Sequence, residues 1–175
     1  MSMLQVGSPA PLFDVEAYVA GETKHIALAD YKGKWVVLFF YPRDFTFVCP
    51  TEIKGFAAAE SAFAKLNAVI VGASTDSAFS HGAWFERDLP EVKFPVLADT
   101  THHVSREYGV LLEDTGAALR GTFIIDPDGI LRYTVVSDLN VGRSIDETLR
   151  VVEALQTGEL CGLGWKPGAD FVHKG

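Results

Sequence analysis

The sequence predicts an α/β domain with a mixed central sheet, helices on both faces, an N-terminal β-hairpin and a C-terminal tail. Three observations point there. Trp35–Tyr41 and Ala68–Ser74 are short, continuously apolar and rich in β-formers, the pattern of strands buried on both faces. Between and after them, apolar residues recur at three- and four-residue spacing, as on one face of a helix. Paired β-patterns around Gly21 and around Pro127-Asp-Gly129 place a hairpin near each end. Strand and helix patterns that alternate in this way build a sheet covered by helices.

The elements follow in order. Phe13–Tyr18 and Lys24–Leu28 form the first hairpin, and Trp35–Tyr41 is the first buried strand. From Pro50 the period changes: Ile53, Phe56, Ala59, Phe63 and Leu66 mark one helix face. Ala68–Ser74 is the next strand, Ser77–Asp88 a helix with Phe79, Ala83 and Trp84 as apolar positions, and Phe94–Leu97 a short strand. Thr101–Tyr108 is a short helix ended by Gly109. Gly121–Asp126 and Ile130–Val136 pair across the second turn. Ile145–Gln156 is amphipathic, with Ser144 as N-cap and Glu147 three residues on, the pattern of a capping box. After Gly158 the chain is rich in glycine. Residues 1–158 therefore read as one domain, and 159–175 as an extended, mobile tail.

Composition narrows the function. The chain has 175 residues and a net charge of -8, and its basic residues form no long run. Nucleic-acid binding by phosphate neutralisation is therefore not expected. The segment from Met1 to Pro11 lacks the basic and apolar regions of a signal peptide. The strongest apolar run, Trp35–Tyr41, is far short of the roughly 20 residues of a membrane span. A cytoplasmic location is expected, where thiols stay reduced and a cysteine pair is more often catalytic than structural.

There are 2 cysteines, and Cys49 is the more informative. It closes the polar loop after a buried strand and stands immediately before Pro50, at the start of a helix. Helical N–H groups at that point favour an anion, and Pro50 suits the first helical position because its missing N–H costs nothing there. A nearby arginine would favour the thiolate further. A lone cysteine among apolar residues is more often a buried core residue, and the Cys-Pro pair at a strand-to-helix junction argues against that here.

The segment Asp44-Phe-Thr-Phe-Val-Cys-Pro-Thr-Glu52 resembles the active-site signature of the typical 2-Cys peroxiredoxins, and most of all the alkyl hydroperoxide reductase C group. The resemblance spans nearly the whole chain. It takes in Ser74-Thr-Asp76, His81-Gly-Ala-Trp84, Arg120-Gly-Thr-Phe-Ile-Ile-Asp-Pro127, Val141-Gly-Arg-Ser144 and Gly158-Glu-Leu-Cys161. It implies a thioredoxin-like fold and thiol-dependent reduction of hydrogen peroxide and organic hydroperoxides. Cys49 then matches the peroxidatic cysteine, which becomes a sulfenic acid. Thr46 matches the threonine that hydrogen-bonds peroxide and thiolate. Arg120 matches the arginine that stabilises thiolate and developing charge, and Pro42 the proline that shields the pocket. Glu52 matches the glutamate that holds an arginine, with Arg143 as a further partner.

Cys161 matches the resolving cysteine, which in that family comes from another subunit and forms a disulfide with the peroxidatic one. The resemblance thus implies a homodimer, with Phe45, Phe79 and Ser80 at positions that join five dimers into a ring. The tail departs from the common cysteine-proline-alanine pattern, reading Cys161-Gly-Leu-Gly-Trp165. Leu89-Pro-Glu-Val-Lys-Phe94 lacks the glycine-rich insertion of easily overoxidised members, and Phe171–Gly175 lacks their tyrosine-phenylalanine tail helix, so resistance to overoxidation is expected. The recycling reductant is a thioredoxin, a flavoprotein disulfide reductase or a small thiol adaptor. A holdase chaperone or peroxide-signalling role is a further option. Protein thiol–disulfide exchange normally uses Cys-x-x-Cys, which is absent. His102-His103 are adjacent and do not share a helix face, no phosphate-binding loop is present, and neither a metal nor another cofactor is indicated. Trp84 reads as a packing residue beside the active-site loop.

Overall fold

Trp35–Phe40, the most apolar run of the chain, occupies the inside of a seven-stranded sheet. The structure, a computed structural model, describes residues 4–173. The first three and last two residues, with the outer ends of the N-terminal segment and tail discussed above, lie outside the described residues. The strands are β1 (Asp14–Val19), β2 (Glu22–Ala27), β3 (Trp35–Phe40), β4 (Ala68–Ser74), β5 (Val96–Ala98), β8 (Arg120–Ile125) and β9 (Leu131–Ser137), with a separate two-residue pair β6 (Leu111–Leu112) and β7 (Ala117–Ala118). Their order in the large sheet is β2-β1-β5-β4-β3-β8-β9. β3, β4 and β5 run parallel, while β1 and β8 join this group antiparallel. The sheet is mixed, as the sequence predicts, with one of the expected hairpins at each edge.

The period-2 geometry of β3 sends its side chains into two cores. Val37, Phe39 and Tyr41 face α1 (Cys49–Lys65), α2 (Ala78–Asp88) and α4 (Ile145–Thr157), through Ile53, Phe56, Phe63, Trp84, Phe85, Val151 and Val152. Val36, Leu38 and Phe40 face the other way, towards Val104 of the five-residue α3 (His103–Glu107), Tyr108, and Phe13 of the N-terminal segment. Helices cover both faces, but unequally. α3 is shorter than expected because His102 takes a left-handed conformation (φ 61) and Asp99 closes the turn by accepting from Val104 N and Ser105 N. A single 3-10 turn at Leu28–Tyr31 and the β6–β7 pair carry no sequence pattern long enough to mark them. No helix among the described residues is long and apolar enough to cross a membrane.

Residues 159–173 contain no helix or strand. They turn back rather than extend. Trp165 is buried, its ring stacks on Phe171, and Val172 N donates to Leu160 O.

Candidate active site

β3 lies between β4 and β8, so the chain leaves its carboxyl end at the middle of the sheet, where open α/β folds bind ligands. Pro42 stops the ladder there and is buried. The loop from Arg43 to Val48 then leads into α1, whose first residue is Cys49 and second is Pro50, one place later than expected from sequence. Cys49 is fully buried.

Two polar networks build this corner. In the first, Glu52, one turn along α1, is nearly fully buried and accepts from two arginines. Arg120 Nη1 donates to Glu52 Oε2 at 2.7 Å, and Arg143 donates to Glu52 through its backbone N (2.9 Å), Nε (3.0 Å) and Nη2 (3.1 Å). Arg143 is also bolted to the sheet through Phe40 O, Gly121 O and Thr122 Oγ1, and its guanidinium lies over the Phe39 ring. Burial draws the Arg143 guanidinium below its ordinary value, while hydrogen bonds and charge from Glu52, and Cys49 behind them, pull the other way.

Arg120 spends its Nε on Leu139 O and brings Nη1 to 3.4 Å from Cys49 Sγ. Two buried guanidiniums face one carboxylate, so the cluster holds one uncompensated positive charge, and Cys49 Sγ sits where a balancing negative charge is favoured.

The second network fixes the loop. The Asp44 carboxylate accepts from Tyr41 Oη (2.7 Å) and Ser80 Oγ (2.7 Å) and pairs with His81 Nδ1 (2.8 Å), all beneath the surface. His81 Nε2 faces Leu97 O at 3.1 Å. The two ring nitrogens are thereby held between the Asp44 carboxylate and a strand carbonyl, which fixes the plane of the imidazole. Burial, then the charge of Asp44, raises the Tyr41 hydroxyl well above its ordinary value, so it stays a donor. Asp44 N donates to Asp76, and Arg43 reaches Thr75 Oγ1 and Thr115 O. Held at both sides, Phe45 adopts a left-handed backbone (φ 57), and its half-exposed ring packs against Trp84 and under Arg87. Thr46 Oγ1 donates to Arg43 O at 3.0 Å, which leaves its lone pairs to accept.

The structure thus gathers Pro42, Thr46, Cys49, Glu52 and Arg120 at one end of β3, with Arg143 on Glu52 as the sequence reading has it. It does not bring Cys161 there. α1 carries the chain about 25 Å from Cys49 to Leu66. At that far end Gln156 of α4 bonds Leu66 O, and Cys161 lies beside Thr157 Oγ1 at 3.4 Å. Both cysteines are free thiols. Phe79 is exposed, whereas Ser80 turns inward to Asp44. Among the described residues no group of three or more His, Cys, Asp or Glu is placed to hold a metal ion.

The chain that carries this helix-start cysteine and its buried Arg–Glu–Arg cluster is similar to known proteins. Residues 6–134 match the AhpC/TSA family. The chain belongs to that family. As a peroxiredoxin it is a thiol-dependent peroxidase with a thioredoxin-like fold, acting on peroxide at the expense of a thiol reductant. It is 54% identical to peroxiredoxin prdx-2 of Caenorhabditis elegans, over 100% of this chain and 92% of the relative. It is 52% identical to peroxiredoxin tpx1 of Schizosaccharomyces pombe, over 97% and 93%. Its fold matches the reduced 2-Cys peroxiredoxin of Plasmodium vivax with a TM-score of 0.93 and 36% identity, covering 97% of this chain and 93% of that one. AhpC of Enterococcus faecalis gives 0.83 and 36%, over 85% and 90%.

Sequence reasoning about this peroxiredoxin missed the Tyr41–Asp44–His81 network. His81 stands in the run His81-Gly-Ala-Trp84, but nothing local tells that its partner lies 37 residues earlier. The role of the Arg43 carbonyl in orienting Thr46 leaves no mark in residue type at all.

Proposed function

We propose that Cys49 is the thiol that reduces the peroxide and that Cys161 of a second copy resolves it as a disulfide. The first half rests on one observation: Cys49 Sγ at the start of α1, 3.4 Å from a guanidinium that Glu52 holds in place. The Cys49 thiolate attacks one peroxide oxygen. An S–O bond forms, the O–O bond breaks, and the departing oxygen takes a proton to leave as water or alcohol. Charge moves from sulfur to that oxygen, so donors aimed at it lower the barrier. The Arg120 Nη2 hydrogens meet no acceptor among the described residues and are free for this role. The first N–H groups of α1 add to them. Thr46 Oγ1, its proton committed to Arg43 O, accepts from the peroxide hydroxyl. Pro42 closes the pocket to water.

Resolution between two copies is supported by the separation along α1. A disulfide needs Cα atoms within about 7 Å, and α1 holds the two cysteines of one chain roughly 25 Å apart along its axis. Release of Cys49 is supported by the uncapped start of α1: Val48 gives no side-chain cap to the first N–H groups. β9 bonds only β8 in the large sheet and exposes Val135 and Val136, a surface suited to a second copy. Exposed Phe45 and Phe79 suit contact between dimers in a ring. Leu89–Phe94 is a short turn rather than an insertion over the loop, which favours disulfide formation over a second oxidation.

One equivalent of peroxide added to reduced protein tests this. The expected product is a covalent dimer whose digest contains the Cys49 peptide linked to the Cys161 peptide. A Cys49–Cys161 link confined to monomers would contradict the intersubunit route. Turnover assays in parallel with thioredoxin, a flavoprotein disulfide reductase and a small thiol adaptor identify the reductant.

A further inference from the structure

Arg150 lies on α4, away from both polar networks, and its donors split between two partners. Nε and Nη2 form a fork on Glu147 at 2.6 and 2.7 Å, and Nη1 donates to Trp165 O at 2.8 Å. Trp165 is only 6% exposed. Its indole N–H donates to Ala169 O at 3.1 Å, and its ring stacks on Phe171 with centroids 5.7 Å apart. Val172 N closes onto Leu160 O at 2.8 Å. Residues 160–172 therefore form a loop pinned to itself at its ends and to α4 at Trp165. Cys161 is the second residue of that loop. Its thiol is parked on the last turn of α4, 3.4 Å from Thr157 Oγ1 and 3.8 Å from Ala154 O. Glycines alone would let this segment wander; the tryptophan and the arginine hold it.

From this geometry we propose that Arg150 and Trp165 are positioning residues for the resolving step, a latch whose strength sets how fast Cys161 reaches the Cys49 sulfenic acid. The proposal rests on the reading of Cys161 as the resolving cysteine. In that step the Cys161 thiol attacks the Cys49 sulfur. The S–S bond forms, the S–O bond breaks, and the thiol proton leaves with the hydroxyl as water. The competing step is attack by the sulfenic acid on a second hydroperoxide, which transfers one oxygen to give sulfinic acid and releases water or alcohol. A parked Cys161 must first leave Thr157 and Ala154, and the Arg150–Trp165 bond opposes that departure. Loosening the latch speeds resolution and protects Cys49 from the second oxidation.

The test is rapid acid quench with mass spectrometry, which separates the peroxide-dependent oxidation of Cys49 from the peroxide-independent formation of the disulfide. Arg150→Met keeps the apolar stem and removes the donor. It is expected to form the disulfide about tenfold faster, the rate equivalent of one charge-assisted hydrogen bond, to accumulate less sulfinic acid at high peroxide, and to oxidise Cys49 at the wild-type rate. Arg150→Lys, which keeps a donor, returns the disulfide rate to within about threefold of wild type. Glu147→Gln breaks the exposed fork but not the latch and leaves the rate unchanged. Trp165→Phe keeps the stack but loses the indole N–H, so it too resolves faster and provides the answer should the Arg150 variants fold poorly. A disulfide rate in Arg150→Met at or below wild type would overturn the latch, as would equal acceleration by Glu147→Gln. Wild-type protein that stays a Cys49 sulfenic acid would instead sink the resolving role of Cys161, a result distinct from either.

Discussion

Replacing Glu52 by Gln tests the buried cluster. Glu52 accepts four N–H bonds at 2.7–3.1 Å, one from Arg120 and three from Arg143. Its side chain is 2% exposed and those of the two arginines are 4%. Glutamine has the same shape, but its NH2 group must face a guanidinium N–H, and the negative charge is gone. Leaving buried charges without a partner costs about 3–5 kcal/mol, and the sheet contacts of Arg143 offset little of that because they are present in both proteins. Urea unfolding at neutral pH should therefore show a loss of about 3–5 kcal/mol. Peroxide reduction should fall about tenfold or more, since Arg120 keeps only Leu139 O to aim it. Cys49 should still alkylate readily in the folded variant, because the excess positive charge near Sγ grows rather than shrinks. A loss of less than about 1 kcal/mol would mean that the pair behaves like a surface ion pair, and the account of the cluster would be wrong.

Three further outcomes are expected. Thr46→Val should lower kcat/KM for peroxide about 100-fold, the usual cost of misplacing a reactant, while Thr46→Ser keeps most of the rate; circular dichroism should not distinguish them. Tyr41→Phe deprives the buried Asp44 carboxylate of one donor and should cost about 1–3 kcal/mol in urea unfolding. Burial works to raise the Asp126 carboxyl, but hydrogen bonds from Ile130 N, Arg132 and Asp128 N outweigh it and hold it below the usual range. A depressed folded value gives stability that is present above the unfolded value near ~3.9 and lost as pH falls through the folded one. Asp126→Asn should therefore be less stable than wild type by about 1–2 kcal/mol at pH 7, and the gap should close in unfolding curves measured below about pH 4.

The parts of the fold that the sequence makes visible are those set by local periodicity. The both-face burial of Trp35–Phe40, the helix face of Ile53, Phe56 and Phe63, and the Asp126–Gly129 turn follow from spacing and residue type alone. Cys49 was visible for the same reason, since strand, loop and Cys-Pro helix start are contiguous. Interactions across the sheet were not. His81 meets Asp44 across 37 residues, a separation that no window along the chain can see, and Arg143, 91 residues from Glu52, is named in the sequence only through the resemblance. The glycines of the tail measure the freedom of an isolated segment, whereas Trp165 finds a buried seat that only α4 provides. The bond from Ser80 Oγ to the Asp44 carboxylate is likewise invisible to local pattern, since 36 residues separate the two.

The claim on which everything else depends is that Cys49 itself cleaves the O–O bond. The direct measurement is a single turnover in Cys161→Ser protein, so that no disulfide can form, with less than one equivalent of hydrogen peroxide. The expected result is one peroxide consumed per oxygen atom gained, with all of that oxygen on the Cys49 peptide as a dimedone-reactive sulfenic acid. Peroxide loss at the wild-type rate in Cys49→Ser protein, or oxygen found on any other residue in its place, would contradict the account.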